Sequence, residues 1–349
     1  MPGLDIPPAV FFRSIDAAST ADEAALQDAL RAMLLEDPSL VVRFLVFVPF
    51  SLPLHSSLLQ LRVDGDTGQR QIGGQGELHL EIVEDRLRTD HGVSARLGPI
   101  LIALREVIDG ASVGRVAASV DREIGGKRHA ATVSVSISDF ASATGPSSAA
   151  LPMDATVSVE AEELTEELAE RCGLSDDEVA AAAENGARAA LGRGPLLGYP
   201  VVRAHVSVRV EELSDGASPL AVTLATAEAV QRLLQRPAAV GGARLLEPVM
   251  AVAVTAPDTL IGTVMSDLTG RRRGNIAAIE SVREGKSRVT ATAPLRALVG
   301  YASALRSVTS GAAAFNMAFD SYERMSADAQ ATVMTEHGRP PVNFNTESD

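Results

Sequence analysis

Two stretches of this 349-residue chain repeat one order of secondary structure, and that recurrence constrains the fold more than any motif. Near the N-terminus, AVFFRSI (9–15) reads as a short buried strand. A helix then sets Leu26, Leu30, Met33 and Leu34 on one face, with Thr20 and Glu23 spaced as a capping box and Pro38 at its end. A strand follows at Leu40 to Arg43, and after a VDGDTGQRQI turn and strand comes GGQGELHLEIVEDRLRTDHGV (73–93). Its Leu80, Val83 and Leu87 recur at i, i+3 and i+7, predicting a second helix before a strand at Val93 to Arg96. With residues 44–61 set aside the order is β-α-β-β-α-β.

The last part of the chain repeats it. Met250, Val252 and Val254 alternate in a strand, and Pro257 opens a helix carrying Leu260, Val264 and Leu268 that stops at Gly270. Strands are expected at 274–281 and 287–293, then a helix from Pro294 with Leu295, Leu298, Val299, Ala302 and Leu305. GAAAFNMAFD closes the unit with Phe315, Met317 and Phe319 on one side. Both ends therefore read as split-βαβ, ferredoxin-like units.

Between them the texture changes. Strands are expected at 100–108, 112–120, 132–138 and 153–160, with GGKRH (125–129) as a turn bearing a small basic tip. The acid-rich run from Glu160 to Glu178 interleaves no His, Lys or aromatic residue, which favours a solvated helix face over acid-base or metal chemistry. A helix from Asp176 to Leu191 stops at Gly192, and a strand aligns Val202, Ala204, Val206, Val208 and Val210. The loop SDGASP (214–219) precedes a helix with Leu224, Val230, Leu233 and Leu234. The middle is thus α+β, and after Met325 the text becomes a polar tail.

Length alone favours two or three domains. A single cysteine, Cys172, rules out an internal disulfide and Cys-based zinc sites and suits a reducing compartment, and the six histidines form no metal-ligand spacing. A net charge of −14 opposes generic nucleic-acid binding by bulk electrostatics but leaves room for local basic patches. MPGLDIPP resembles neither a secretory signal nor a transit segment. Residues 44–61 lack any charged side chain, yet Pro49 and Pro53 and their shortness argue against a membrane anchor.

The glycines Gly73, Gly74 and Gly76 before a helix could cradle a phosphate. They fail as a dinucleotide fingerprint, because His79 stands where a third Gly is needed, and no Lys-Ser/Thr pair follows for a Walker loop. The GKS at 285–287 has Glu280 where a P-loop needs Gly, and no GxSxG elbow occurs.

GELHLEIVEDRL (76–87), LGP (97–99) with Arg105-Glu106, GPLLGYPV (194–201), LLEPVMAVAVTAPDTLIGTVMSDLTGRRRGNI (245–276) and PLRALVGYASALRSVTSGAAAFNMAFDSYERM (294–325) together resemble the third to fifth domains of elongation factor G. The resemblance implies two ferredoxin-like βαββαβ domains flanking a ribosomal-protein-S5-like α+β domain. It implies boundaries at 1–97, 98–242 and 243–325, with a polar tail at 326–349. Residues 44–61 interrupt the family's run, and joining Arg43 to Arg62 restores it, so they read as an insertion of retained-intron type. The family's GTP-binding domain and β-barrel have no counterpart in these residues. The expectation is a chain with no cofactor of its own and no enzymatic activity, whose full-length family uses GTP and Mg.

GGKRH resembles the family's mitochondrial ribosome-recycling branch better than the translocase branch, and SDGASP lacks the histidine of the translocase loop. The resemblance thus implies recycling of ribosomes in the mitochondrial matrix, with the mitochondrial ribosome and the ribosome recycling factor as partners, no membrane, and a monomer. Alternatives are a translocase fragment or a stand-alone ribosome-interaction module. Implied contacts are Lys127, Arg128 and His129 at one tip, Asp215 and Gly216 at the other, and Arg271, Arg272 and Arg273 after a helix. These three arginines equally suit compensation of a helix dipole.

Overall fold

The computed structural model describes residues 9–18, 22–37, 40–43, 70–74, 77–108, 114–124, 127–139, 157–161, 173–214, 218–236, 240, 242–283 and 285–339. The 44–61 insertion, Thr20 of the expected capping box, most of the acid-rich run and Asp215-Gly216 lie outside them. Two compact units emerge, one drawn from 1–103 with 247–322, the other from 104–246 with 323–349.

In the first unit, β1 (Phe11–Ala17), α1 (Asp22–Glu36), β2 (Val41–Arg43), β3 (Arg70–Gly74), α2 (Glu77–Thr89) and β4 (Ala95–Ile102) form a sheet of order β2-β3-β1-β4. β1 lies antiparallel to both β3 and β4, the pairing of a ferredoxin-like unit. Apolar periodicity decides the helix faces: Leu26, Leu30 and Met33 of α1, and Leu80, Val83 and Leu87 of α2, are all buried. The helices are also tied laterally, by Arg86 to Glu36 at 2.5 Å and by His79 Nε2 to Asp37 Oδ2 at 2.9 Å.

The same unit holds most of a second such sheet, from β10 (Ala243–Pro257), α5 (Asp258–Gly270), β11 (Asn275–Arg283), β12 (Lys286–Pro294), α6 (Leu295–Leu298), α7 (Tyr301–Val308) and β13 (Ala314–Arg324), in the order β11-β12-β10-β13. Met250, Val252, Val254 and Ala256 of β10 are buried beside Val264 and Leu268 of α5. The helix expected from Pro294 divides in two, because Gly300 takes a left-handed φ of 69° and leaves Val299 exposed.

In the second unit, β6 (Arg115–Ile124), β7 (Lys127–Asp139), β8 (Val157–Ala161) and β9 (Ala204–Leu213) form a sheet of order β6-β7-β9-β8, antiparallel except for β8 against β9. α3 (Asp176–Leu191) and α4 (Pro219–Leu234) share its core, where Val133, Val135, Ile137, Val206 and Val208 meet Val179, Ala183, Val222 and Val230. α3 starts on a full capping box: Glu178 N–H donates to Ser175 Oγ at 3.3 Å and Ser175 N–H to Glu178 Oε2 at 2.9 Å. Bonds from Ser175, the backbone one first, hold the Glu178 carboxyl below its ordinary range.

Several expectations need correction. The strand expected at 100–108 is two elements: β4 crosses the expected boundary at 97/98, while β5 (Arg105–Ile108) pairs with Ala243–Leu246 of β10. The break follows from the switch of partners at Ala103, whose N–H donates to Val10 O and whose carbonyl accepts from Tyr322 Oη at 2.8 Å. The GGKRH turn is shorter than expected, since the β6–β7 ladder continues to Ile124↔Lys127. Residues 326–349 are not wholly a polar tail, because α8 (Ala327–Glu336) buries Gln330, Val333 and Met334 behind a Ser326 N-cap. Gly73 and Gly74 belong to β3 rather than to a loop. A Cβ on Gly73 would run into the Phe12 ring, so its role is close packing, not anion binding.

Candidate functional site

Backbone pairing places Lys127, Arg128 and His129 at the open end of the β6–β7 hairpin, opposite Ile124, Glu123 and Arg122. Only Gly125 and Gly126 separate the strands, and they, like Asp215 and Gly216, lie outside the described residues.

The three arginines after α5 are fully described, and the structure separates them. α5 closes with Arg271 and Arg272 N–H groups both donating to Asp267 O. Arg273 then turns left-handed at φ 52°, and Gly274 N–H reaches back to Leu268 O at 2.8 Å. Position 274 needs glycine, since a Cβ would sit 2.9 Å from that same carbonyl oxygen.

This turn sends consecutive side chains in different directions. Arg271 is 81% exposed, its Nε 3.9 Å from Asp267. Arg272 is only 19% exposed. Its Nη1 donates to Ala297 O at 2.8 Å and its guanidinium lies 5.0 Å from the centre of the Tyr301 ring. Burial, reinforced by Asp267 and opposed by Arg272, pushes the Tyr301 hydroxyl up to about 12. Arg273 folds back onto β10, donating to Glu247 Oε2 at 3.1 Å, and Glu247 is 5% exposed. The dipole-compensating role therefore fits Arg271 and Arg272 at the helix end, while Arg273 neutralises a buried carboxylate.

Sequence reasoning passed over a second buried acid in the other unit. Glu106 is 0% exposed, yet its carboxylate accepts from Leu196 N–H at 2.7 Å and from Leu197 and Tyr199 N–H at 2.9 Å each. Burial pushes its carboxyl up, against the opposing pull of these backbone donors. Its backbone also bonds the loop, with Glu106 N–H on Pro200 O and Val202 N–H on Glu106 O. GPLLGYP is thus wound around one acid, and Tyr199 in turn meets His337 of the turn after α8, ring edge to face. The available signal was a lone carboxylate within an apolar strand, as also for Glu247 in LLEPVM.

Among the described residues no group of three or more His, Cys, Asp or Glu could hold a metal, and no helix is long and apolar enough to cross a membrane. The described candidate residues thus lie on two surfaces, the open end of the β6–β7 hairpin and the turn after α5.

Comparison with known proteins gives these surfaces a context. Residues 56–99 match the family "Elongation Factor G, domain III" and residues 244–333 match "Elongation factor G C-terminus". The chain is 31% identical over 94% of its length to ribosome-releasing factor 2, mitochondrial, of Danio rerio, covering 38% of that protein. It is 32% identical over 96% of its length to the Bos taurus protein of the same name, again covering 38%. A crystal structure of a Thermus thermophilus protein superposes with a TM-score of 0.64 at 26% identity, over 97% of this chain and 44% of that one. The chain thus spans well under half of the curated relatives it matches. Two βαββαβ sheets in sequence positions that match domain III and the C-terminus, with an α+β unit between them in the sequence, make this chain a member of the elongation factor G family.

Proposed function

We propose that this chain is the ribosome-binding part of a mitochondrial translational GTPase that splits post-termination ribosomes together with the ribosome recycling factor. The observation that carries the reading is its similarity, over 94–96% of its length, to proteins named mitochondrial ribosome-releasing factor 2. The hairpin end at Lys127–His129 is the surface offered to the recycling factor or the intersubunit space. The turn after α5 is offered to ribosomal RNA. In this reading GTP and Mg act in the remainder of the full-length protein, and the chain works as a monomer in the mitochondrial matrix.

The test is direct. Mitochondrial ribosomes stalled after termination are mixed with recycling factor, GTP and the full-length protein, and subunit separation is followed by light scattering. Splitting without support of polyphenylalanine synthesis is expected. Polyphenylalanine synthesis without splitting would overturn the assignment. Residues 1–349 alone are expected to bind ribosomes and not GTP, and tight GTP binding by them would refute the division of labour.

A further inference from the structure

Within the second unit, β5 and the start of β10 make a two-stranded ribbon in which Glu106 stands opposite Leu245, both of them 0% exposed. The backbones of the two residues serve different partners. Glu106 N–H donates to Pro200 O at 2.9 Å, and its carbonyl accepts from Val202 N–H at 2.8 Å. Leu245 N–H donates to Gln330 Oε1 at 3.0 Å, and its carbonyl accepts from Met325 N–H at 2.9 Å. An antiparallel pair that does not exchange its own hydrogen bonds points these groups away from each other. The 194–202 loop is therefore bonded to the β5 edge of the ribbon, and the segment that carries α8 to the β10 edge.

Bonded to opposite edges, the two segments nevertheless meet. The Tyr199 and His337 rings lie edge to face with centroids 6.2 Å apart, and Tyr199 Oη is 3.4 Å from His337 Nε2. His337 is aimed by its own helix: Nδ1 lies 2.9 Å from Val333 O, and because a carbonyl only accepts, the proton sits on Nδ1. In the neutral imidazole Nε2 is then left as an acceptor facing the Tyr199 hydroxyl. α8 thus has a buried end and an open one, since Gln330 is 1% exposed while His337 is exposed. We propose that α8 is a strap across this ribbon, pinned at Leu245 and closed by His337 on Tyr199, so that the 194–200 loop and the end of α8 open and close together. Such coupling is reciprocal: a partner that holds the loop shut holds the end of α8 shut by the same factor. The strap goes beyond the ribosome-binding reading and does not depend on it.

Native-state hydrogen exchange on residues 1–349 tests the strap, with wild type, Tyr199→Ala, His337→Ala and the double variant. His337→Ala truncates a side chain at the exposed helix end, and fraying alone would reach only the amides of 337–339. Under the proposal it also speeds exchange of the Leu196, Leu197 and Tyr199 amides by about two- to tenfold, the size of an edge-to-face ring contact. Tyr199→Ala is expected to speed the 337–339 amides to a similar extent, while the α3 amides keep wild-type rates in both. The double variant is expected to match Tyr199→Ala at the loop and His337→Ala at the helix end. Loop amides at wild-type rates in His337→Ala, or a further increase at either place in the double variant, overturn the proposal. Gln330→Leu gives a second arm, because it cuts the pin at Leu245 and leaves both rings in place. It is expected to speed the 196–199 amides along with those of α8, and an effect confined to α8 would equally refute the strap.

Discussion

Replacing Glu106 by alanine tests the idea that one buried acid organises the 194–200 loop. The substitution removes the acceptor of three backbone N–H groups, those of Leu196, Leu197 and Tyr199. A donor left without a partner costs about 1–3 kcal/mol, towards the upper end for Leu196, whose bond is buried, and towards the lower end for Leu197 and Tyr199, whose bonds are part-buried. Relief from burying a carboxylate offsets part of that sum. A net loss of roughly 3–5 kcal/mol in local stability follows from these terms. At about 1.4 kcal/mol per factor of ten, that is about a hundred- to few-thousand-fold faster exchange at those three amides.

Native-state hydrogen exchange of residues 196–199 reads this directly, with the α3 amides as internal controls. The pH dependence supplies a sign. Because burial raises the folded-state carboxyl above its unfolded value, the native state holds the proton longer between the two values. Stability from this group is therefore greatest below the unfolded value and falls as pH rises through the raised one. The gap between wild type and Glu106→Ala is expected to be largest on the acid side of that window and to narrow above it. Protection within about threefold of wild type, or a gap that widens with pH, would refute the reasoning.

Other outcomes follow from single contacts. Gly73→Ala places a methyl against the buried Phe12 ring and is expected to cost about 1–3 kcal/mol in urea denaturation. Ser175→Ala removes the cap of α3 and is expected to cost about 1 kcal/mol, with faster exchange in the first turn of that helix. Tyr322→Phe deletes the bond to Ala103 O and is expected to lose about 1 kcal/mol with no change of fold by circular dichroism.

Much of the architecture was legible because it rests on short-period patterns. The faces of α1 and α2, and the alternation of Val206 with Val208, follow from apolar spacing alone. Element boundaries that depend on distant partners were not legible. Nothing in residues 100–108 announces that β5 abandons β1 for Ala243–Leu246, since that pairing is decided about 135 positions away. α8 resembles polar tail in the sequence because one of the residues it buries, beside Val333 and Met334, is the polar Gln330, whose Oε1 accepts from Leu245 N–H at 3.0 Å. The candidate contacts divided in the same way. Spacing could nominate the three arginines, but only the left-handed turn at Arg273 reveals that they diverge. Lys127 to His129 were found as a basic tip through their hairpin, and the strands extend closer to that tip than alternation suggested.

The pairing of β5 with the start of β10 also fixes a schedule for folding. Arg105 meets Leu246 and Ile108 meets Ala243, while Leu245 is bonded in turn by Met325 N–H and by the side chain of Gln330. During synthesis the strands of the β6 to β9 sheet emerge before β10, but Leu245 of the same unit lacks its Gln330 acceptor until residue 330 has been made. Contacts this far apart in sequence close slowly. A nascent chain stalled anywhere between 246 and 325 would hold an exposed, incompletely bonded strand, a natural target for chaperones and proteases.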